Sequence, residues 1–302
     1  MEPIDIFHRH RPHLLALAYR LLGTRADAED VVQDTWLRWQ GADHAAIADP
    51  AAWLVTTATR LGIDRLRAAR RQREAYPGPW LPEPARIDAD AAPPPDDAPG
   101  PGQLLERAEQ VSLAFLAVLE RLGPEERAAF LLREVFDHDY AAIAALLGRS
   151  QAACRQMVRR ARMRVAAARP RFTVDPRRHR VLLERFMHAA RTGDREAVQA
   201  LLHADAQLLS DGGGKALAAI RPLHGAERIA RLYWVLARRR PPGECWELGR
   251  ANGQPAILRR HGGRLTGLTV AASASGRITA LYTITNPDKL SVTAAAACAS
   301  WG

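Results

Sequence analysis

The stretch from Asp139 to Arg171, DYAAIAALLGRSQAACRQMVRRARMRVAAARPR, carries four side chains whose types and spacing suit the reading of a nucleic-acid duplex: Arg155, Gln156, Arg159 and Arg162. Arg bonds guanine bidentately, Gln bonds adenine in the same way, and any remaining Arg neutralises phosphate. The four share a face if the segment is helical, because Cys154, Val158, Ala161 and Val165 then form an apolar stripe pointing the other way. The bland alternative is a solvated basic helix face, and the preceding residues argue against it. Tyr140, Ile143, Ala144 and Leu147 recur at helical spacing, Gly148 closes that helix, and Ser150 is placed to cap the next. Two short helices joined by a Gly-containing turn, with no acid between Asp139 and Asp175, read as a helix-turn-helix whose second helix enters the major groove.

A second basic set lies upstream. Asp49-Pro50 is a cap followed by proline in the first turn of a helix that runs to about Arg73. On it, Arg60, Arg67 and Arg71 fall on one stripe, with Trp53 a turn or two earlier and Thr56 and Thr57 close by. Arginines that track phosphates beside a stacking aromatic suit single-stranded nucleic acid, and the loop before the helix, GADHAAIAD, is placed to grip an extruded base. Trp53 reads equally well as a core residue. Arg25 to Gln40 form an amphipathic helix with Ala28, Val32, Trp36 and Trp39 on its buried side and Asp27, Asp30 and Asp34 opposite. Leu37 projects among those carboxylates, a mixture that suits an interface with a basic protein; the alternative is a solubilising face with one stray leucine.

These elements sit in a chain of 302 residues with a net charge of +10, carried by Arg, which points to a polyanionic partner. Cys154, Cys245 and Cys298 show no metal-ligand spacing, so neither a zinc site nor a disulfide framework is expected. The N-terminus lacks a signal-peptide pattern and no apolar run is long enough to span a bilayer, so a cytoplasmic protein is expected. Composition divides the chain into a helical unit at 1–76, a Pro-rich tether at 77–103, a helix-turn-helix unit at 104–172, a third unit at 173–290 and a frayed tail at 291–302. The tether holds nine of the 20 prolines, and within it the Trp80 and Leu81 of WLPEP are costly to expose unless they dock, although composition alone favours a casual hydrophobic pair. The third unit opens with helices around 177–191 and 195–203, continues with one near 225–239, and then alternates strand-like runs with turns at ANGQ, HGG and SASG. That order predicts an α+β layer.

The succession of DAEDVVQDTWLRW, WLVTTATRLGIDRLRAARR, a flexible linker and YAAIAALLGRSQAACRQMVRRAR resembles extracytoplasmic-function sigma factors of the sigma-70 family. WLPEP, SDGGGK at 210–215 and NPDKL at 286–290 are similar to the markers of the subgroup with a fused SnoaL-like C-terminal domain. The resemblance implies two all-α domains, regions 2 and 4, followed by an α+β cone, and it implies core RNA polymerase and promoter DNA as partners. By the same resemblance, Asp30, Gln33, Asp34 and Leu37 would meet the clamp helices of the polymerase largest subunit. Trp53, Arg60, Arg67 and Arg71 would hold the −10 element, and Arg155, Gln156, Arg159 and Arg162 would read the −35 element. Trp80, Leu81, Asp211, Lys215, Asn286, Asp288, Lys289 and Leu290 would make regulatory contacts.

No cofactor, metal or enzymatic activity is expected, although a SnoaL-like cone could hold a small-molecule ligand. Relatives of that fold include cyclases and isomerases, and Asp205, Asp211, His224, Tyr233, Trp246 and His261 are the candidates here, but no pair has an acid–base spacing. Gly212 to Gly214 read as a tight turn, because the strand, helix and Ser/Thr of a phosphate loop are absent. Two other readings are a ligand-sensing helix-turn-helix regulator and a cyclase or isomerase with a DNA-binding arm. A simple regulator has no need of the acidic face around Asp30.

Overall fold

The computed structural model describes residues 2–89, 111–168 and 175–291. They fall into two compact units, the first built from 2–75, Val111 and 116–168 and the second from 76–89, 112–115 and 175–291. The 104–110, 169–174 and 292–302 portions of the expected units lie outside the described residues, as do 90–103 of the tether.

In the first unit, helices α1 (Pro3–Leu22), α2 (Arg25–Gln40) and α3 (Pro50–Arg73) start and stop where their caps dictate. Gly23, at φ +79°, ends α1 with its N–H on the Tyr19 carbonyl; Thr24 caps α2, and Asp49 caps α3 by accepting from Ala52 N at 3.0 Å. Trp39 is buried and donates its indole N–H to the Pro3 carbonyl at 2.8 Å. A Cβ on Gly62 would come within 2.5 Å of Leu21 Cδ2, so α1 and α3 approach closely where that side chain is missing. Helices α4 (Leu113–Leu119), α5 (Pro124–Glu134), α6 (Tyr140–Leu147) and α7 (Gln151–Ala168) follow.

The two helical segments, expected as separable, form one unit through buried charge. The Arg127 guanidinium is fully buried, donates to the Arg20 carbonyl at 2.8 and 3.0 Å, and pairs with Glu120. The second Glu120 oxygen takes Arg73 at 2.7 Å, and Arg73 also donates to the Leu22 carbonyl at 3.1 Å. Burial pushes the Arg20 guanidinium down to about 10. A buried guanidinium needs partners for its donors, and here the Arg20 carbonyl of α1 and the Glu120 carboxylate in the turn before α5 supply them.

The second unit is a seven-stranded sheet packed against helices. Its elements are β1 (Ile87–Asp88), α8 (Pro176–Thr192), α9 (Arg195–Leu201), β2 (Leu202–Asp211), β3 (Leu223–His224), α10 (Ala226–Arg238), β4 (Glu244–Ala251), β5 (Gln254–His261), β6 (Arg264–Ala274) and β7 (Arg277–Ile284). The strand order is β1-β4-β5-β6-β7-β2-β3. The expected antiparallel meander is β4 to β7, but β2 precedes α10 and pairs parallel with β7, the arrangement that a long helical crossover permits. Leu183, Phe186, Ile229 and Tyr233 from α8 and α10 join Ile257, Ala271 and Leu281 from the sheet in one core. The described part of the expected tether is an integral piece of this sheet, with Ile87 paired to Ala251 and Asp88 to Arg250. Cys154 is free and buried, as its place on the apolar stripe of α7 predicted.

Candidate nucleic-acid interface and linker clamp

The helix-turn-helix forms from the residues that encode it. Asp139 caps α6 by accepting from Ala142 N at 2.7 Å, Gly148 closes α6 at φ +64°, and Ser150 accepts from Ala153 N at 3.2 Å to start α7. Cys154, Val158, Ala161 and Val165 are all buried, so Arg155, Gln156, Arg159 and Arg162 are exposed together on the other face. Arg155 is steadied by Gln151 Oε1 at 3.1 Å and by the Tyr140 ring, 5.5 Å from its guanidinium. Arg162 pairs with Glu134 at 2.6 Å, while Gln156 and Arg159 carry no intramolecular partner among the described residues.

At the start of α3, Ala52, Trp53, Thr56, Thr57 and Arg60 join the loop residues Asp43 and Ala46 to Asp49 around an open cavity of about 630 Å³. Trp53 is half-buried, lines the cavity and packs its ring 5.4 Å from that of Trp39. The arginine stripe is less free than its spacing implied. Arg60 donates to the Leu146 carbonyl at 3.2 Å, and Arg67 is shared between Asp64 at 3.0 Å and Glu125 at 2.7 Å. Glu125 also takes Arg149 at 3.2 Å, so one carboxylate holds both α3 and the helix-turn-helix turn. Arg71 alone of the three is exposed without a partner among the described residues.

On α2, Ala28, Val32 and Trp39 are buried and Trp36 is half-buried, its ring 4.8 Å from that of Phe7. Gln33, Asp34 and Leu37 are exposed, Leu37 by 57%. Asp27 and Asp30 are instead bridged by Arg65, the former at 2.9 Å. Sequence reasoning missed Arg65. It lies off the basic stripe of α3, and nothing local announces a partner more than 30 residues away in sequence.

In the second unit the regulatory candidates converge on Asp211, which is fully buried at the end of β2. Its carboxylate accepts from Tyr76 Oη at 2.5 Å, Lys289 Nζ at 2.7 Å, Leu81 N at 2.8 Å and Gly213 N at 3.1 Å. Lys289 also donates to the Leu81 carbonyl at 2.5 Å, with its ammonium 4.1 Å from the Trp80 ring centroid. Leu81 and Leu290 are buried, and Asn286 donates to Tyr76 Oη at 3.0 Å. Burial and the bond to Asp211 raise the Tyr76 phenol well above its ordinary range. Lys215 pairs with Asp288 at 2.6 Å in the open, where the bond is worth little. Glycine is required at 212 and 213: a Cβ would lie 2.3 Å from the Ala216 carbonyl oxygen at the first and 2.3 Å from the Asn286 amide at the second.

Tyr76 and Asn252 were not singled out in the sequence. Asn252, in the ANGQ turn at φ +50°, accepts from Ala85 N at 2.8 Å and Arg86 N at 3.2 Å, and its own N–H bonds the Arg86 carbonyl at 2.9 Å. The turn was legible; its second task of clipping a distant extended segment was not. The six catalytic candidates do not assemble. Asp205, His224 and His261 are exposed, Tyr233 packs edge-on to Phe186 in the core, and Asp211 belongs to the clamp. Among the described residues no His, Cys, Asp or Glu cluster could hold a metal ion, and no helix is long and apolar enough to cross a membrane.

The profile of sigma-70 region 2 matches residues 6–72, and that of sigma-70 region 4 matches residues 112–165. The chain is 40% identical over 299 residues to the ECF RNA polymerase sigma factor SigJ of Mycobacterium tuberculosis H37Rv, covering 95% of this chain and 92% of that protein. It is 31% identical over 292 residues to the probable ECF RNA polymerase sigma factor SigI of the same strain, covering 96% and 95%. The crystal structure of M. tuberculosis SigJ matches with a TM-score of 0.73 at 36% identity, covering 98% of this chain and all (100%) of that one.

Proposed function

The chain belongs to the extracytoplasmic-function sigma factors of the sigma-70 family, in the subgroup with a SnoaL-like C-terminal domain, and we propose that this domain governs it in cis by gripping the linker. It is a promoter-specificity subunit, whose partners are core RNA polymerase and promoter DNA. Residues 1–76 serve as region 2 and 104–172 as region 4, with 77–103 between them and 173–290 as the regulatory domain. The chain works by binding rather than catalysis, in the cytoplasm.

Gln33, Asp34 and Leu37 meet the polymerase, with Asp30 available once Arg65 lets go. Arg155, Gln156, Arg159 and Arg162 read the −35 element in duplex form. Trp53, Arg60, Arg67 and Arg71 hold the −10 strand, and the cavity bounded by the Asp43 to Asp49 loop receives an extruded base.

The observation that carries the cis-regulation is the convergence on Asp211 of the Leu81 amide in the linker, the Tyr76 phenol immediately before it and the Lys289 ammonium. That grip fixes where the linker leaves region 2 and how much free chain remains to reach region 4. Transcription from a cognate promoter by core polymerase, with the full chain, a form ending at Asn286 and a form ending at Arg171, tests it. The domain-less form should lose activity and the trimmed form should be deregulated upward. Equal transcription by all three would make the domain a passenger.

A further inference from the structure

Beyond the basic helices α3 and α7, much of the positive charge of this chain lies in its third, C-terminal portion. Residues 175–291 hold 19 Lys and Arg against 10 Asp and Glu, whereas residues 2–89 balance at 12 against 12 and residues 111–168 hold 9 against 6. Residues 175–291 therefore carry a net +9, and the sheet unit as a whole about +8 once Glu83, Arg86 and Asp88 are included. That charge is concentrated on the exposed side of α10 and its continuation. Arg231, Arg238, Arg239 and Arg240 are all exposed, and Arg240 Nη1 donates to the carbonyl of Arg191 at 3.3 Å, which brings the end of α8 into the same patch. The approach of those two helix ends is enforced at Gly193, where a Cβ would lie 2.9 Å from Ala237 Cβ. The one acid within α10, Glu227, sits in its first turn and is tied to Arg195 at 3.0 Å.

Local structure accounts for part of the patch. Arg240 caps a helix end, and the guanidinium of Arg238 lies 4.1 Å from the Trp234 ring centroid. Cations near a helix C-terminus are stabilised by the backbone dipole. Arg191, Arg231 and Arg239 have no ion-pair partner among the described residues, and crowding unpaired like charges opposes folding unless a polyanion is met.

We propose that this face of the SnoaL-like domain is a sequence-independent binding surface for the phosphate backbone of duplex DNA. Duplex is favoured over single strand because the arginines stand on a rigid helix face, while Trp234, the aromatic at hand for stacking, is covered by Arg238. The choice of DNA over other polyanions rests on the sigma-factor reading; the surface itself does not. Bound there, the domain would add phosphate contacts outside the region-4 footprint and make affinity for promoter DNA steeply dependent on salt.

The test uses the full chain and the triple variant Arg231→Gln/Arg238→Gln/Arg239→Gln, with Arg231→Gln/Arg239→Gln as a second variant that leaves the Arg238–Trp234 contact intact. Affinity for a random-sequence duplex is measured against salt, without polymerase, so that the result stands even if assembly with polymerase fails. Losing three phosphate contacts should lower the salt slope by about 2.7, so that between 50 and 200 mM salt the wild type loses about 40-fold more affinity than the triple variant. The double variant should lose about two-thirds of that slope. Anionic phospholipid vesicles serve as the competing polyanion. Unchanged slope and affinity in both variants, or a wild-type preference for vesicles over duplex, would overturn the proposal. A separate arm with Arg159→Ala on a promoter duplex reports on the recognition helix, so failure of that reading is seen independently.

Discussion

Replacing Asp211 by Asn tests whether the linker is held by charge or merely by shape. The side chain keeps its size, but one of the two carboxylate oxygens that accept from Tyr76, Leu81, Gly213 and Lys289 becomes an NH2 group facing donors. Lys289, itself largely buried, loses its counter-charge. Breaking a buried pair by removing one partner costs roughly 3–5 kcal/mol. The Leu81 carbonyl and the Trp80 ring still face the ammonium, which places the expected loss near the lower end, about 3 kcal/mol. That corresponds to an increase of roughly 150-fold in the population with the linker released. Protease cleavage within 76–89, measured under conditions where opening is fast relative to cutting, reads that population directly. Adding Lys289→Met to Asp211→Asn should recover much of the loss, since the second change removes the stranded charge. If Asp211→Asn is cut at the wild-type rate and melts at the wild-type temperature, the buried pair is not what holds the linker.

Four further outcomes are expected. Lys289→Arg should also loosen the clamp, by about 1–3 kcal/mol, because a planar guanidinium is too bulky for the site enclosed by Trp80, Leu81 and Asp211; melting temperature and linker cleavage would show it. Arg159→Ala should cost on the order of 1–3 kcal/mol of promoter binding and, if Arg159 reads a base, relax preference at a single position of the −35 element, checked on single-base variants. Glu125→Gln should free Arg67 and Arg149 at a stability cost of no more than about 1 kcal/mol, since both pairs are partly exposed; an increase in single-strand affinity with little change in melting would be the signature. Burial lowers His179 and, helped by His138, His10 and Arg20, lowers His13. Because both folded-state values lie below the unfolded one, their contribution is fully present above about pH 6.5 and is lost as pH falls through the folded values; His179→Gln should flatten part of the acid-side decline in melting temperature.

The helix-turn-helix was legible almost to the residue because each of its boundaries is set locally. Asp139, Gly148 and Ser150 act within four positions of themselves, and the buried stripe of α7 follows from a period of about 3.6. The clamp was legible in outline for a different reason: WLPEP, SDGGGK and NPDKL resemble the markers of the SnoaL-fused subgroup, whereas composition alone left Trp80 and Leu81 as a casual hydrophobic pair. What the sequence concealed were contacts set by tertiary placement. Tyr76 reads as the end of a helical unit, Asn252 as a turn residue, Arg65 as part of a solvated face and Arg127 as one charge among many. Their partners, Asp211, the Ala85 and Arg86 amides, Asp27 and Asp30, and the Arg20 carbonyl, stand 38 to 167 residues away, apart from the nearer Asp30. The parallel pairing of β2 with β7 was hidden in the same way, because the alternation of a strand does not name its neighbour.

The contacts that occupy the basic groups of the first unit differ in strength, and the difference orders its opening. Arg60 on the Leu146 carbonyl and Arg67 on Glu125 are solvent-facing contacts of the kind worth about 0–1 kcal/mol, and phosphates can replace them outright. Arg73 on Glu120 and the Arg127 guanidinium on the Arg20 carbonyl are largely withdrawn from water, and separating them strands charge. A DNA strand can therefore exchange onto Arg60 and Arg67 without disturbing these buried contacts, whereas moving region 4 away from region 2 must break them. That larger step needs a partner whose binding energy exceeds several kcal/mol, and the exposed Gln33, Asp34 and Leu37 face is where core polymerase would supply it. On this account Glu120→Gln should let region 4 separate more readily and raise the affinity for core polymerase, while Glu125→Gln should act on DNA alone.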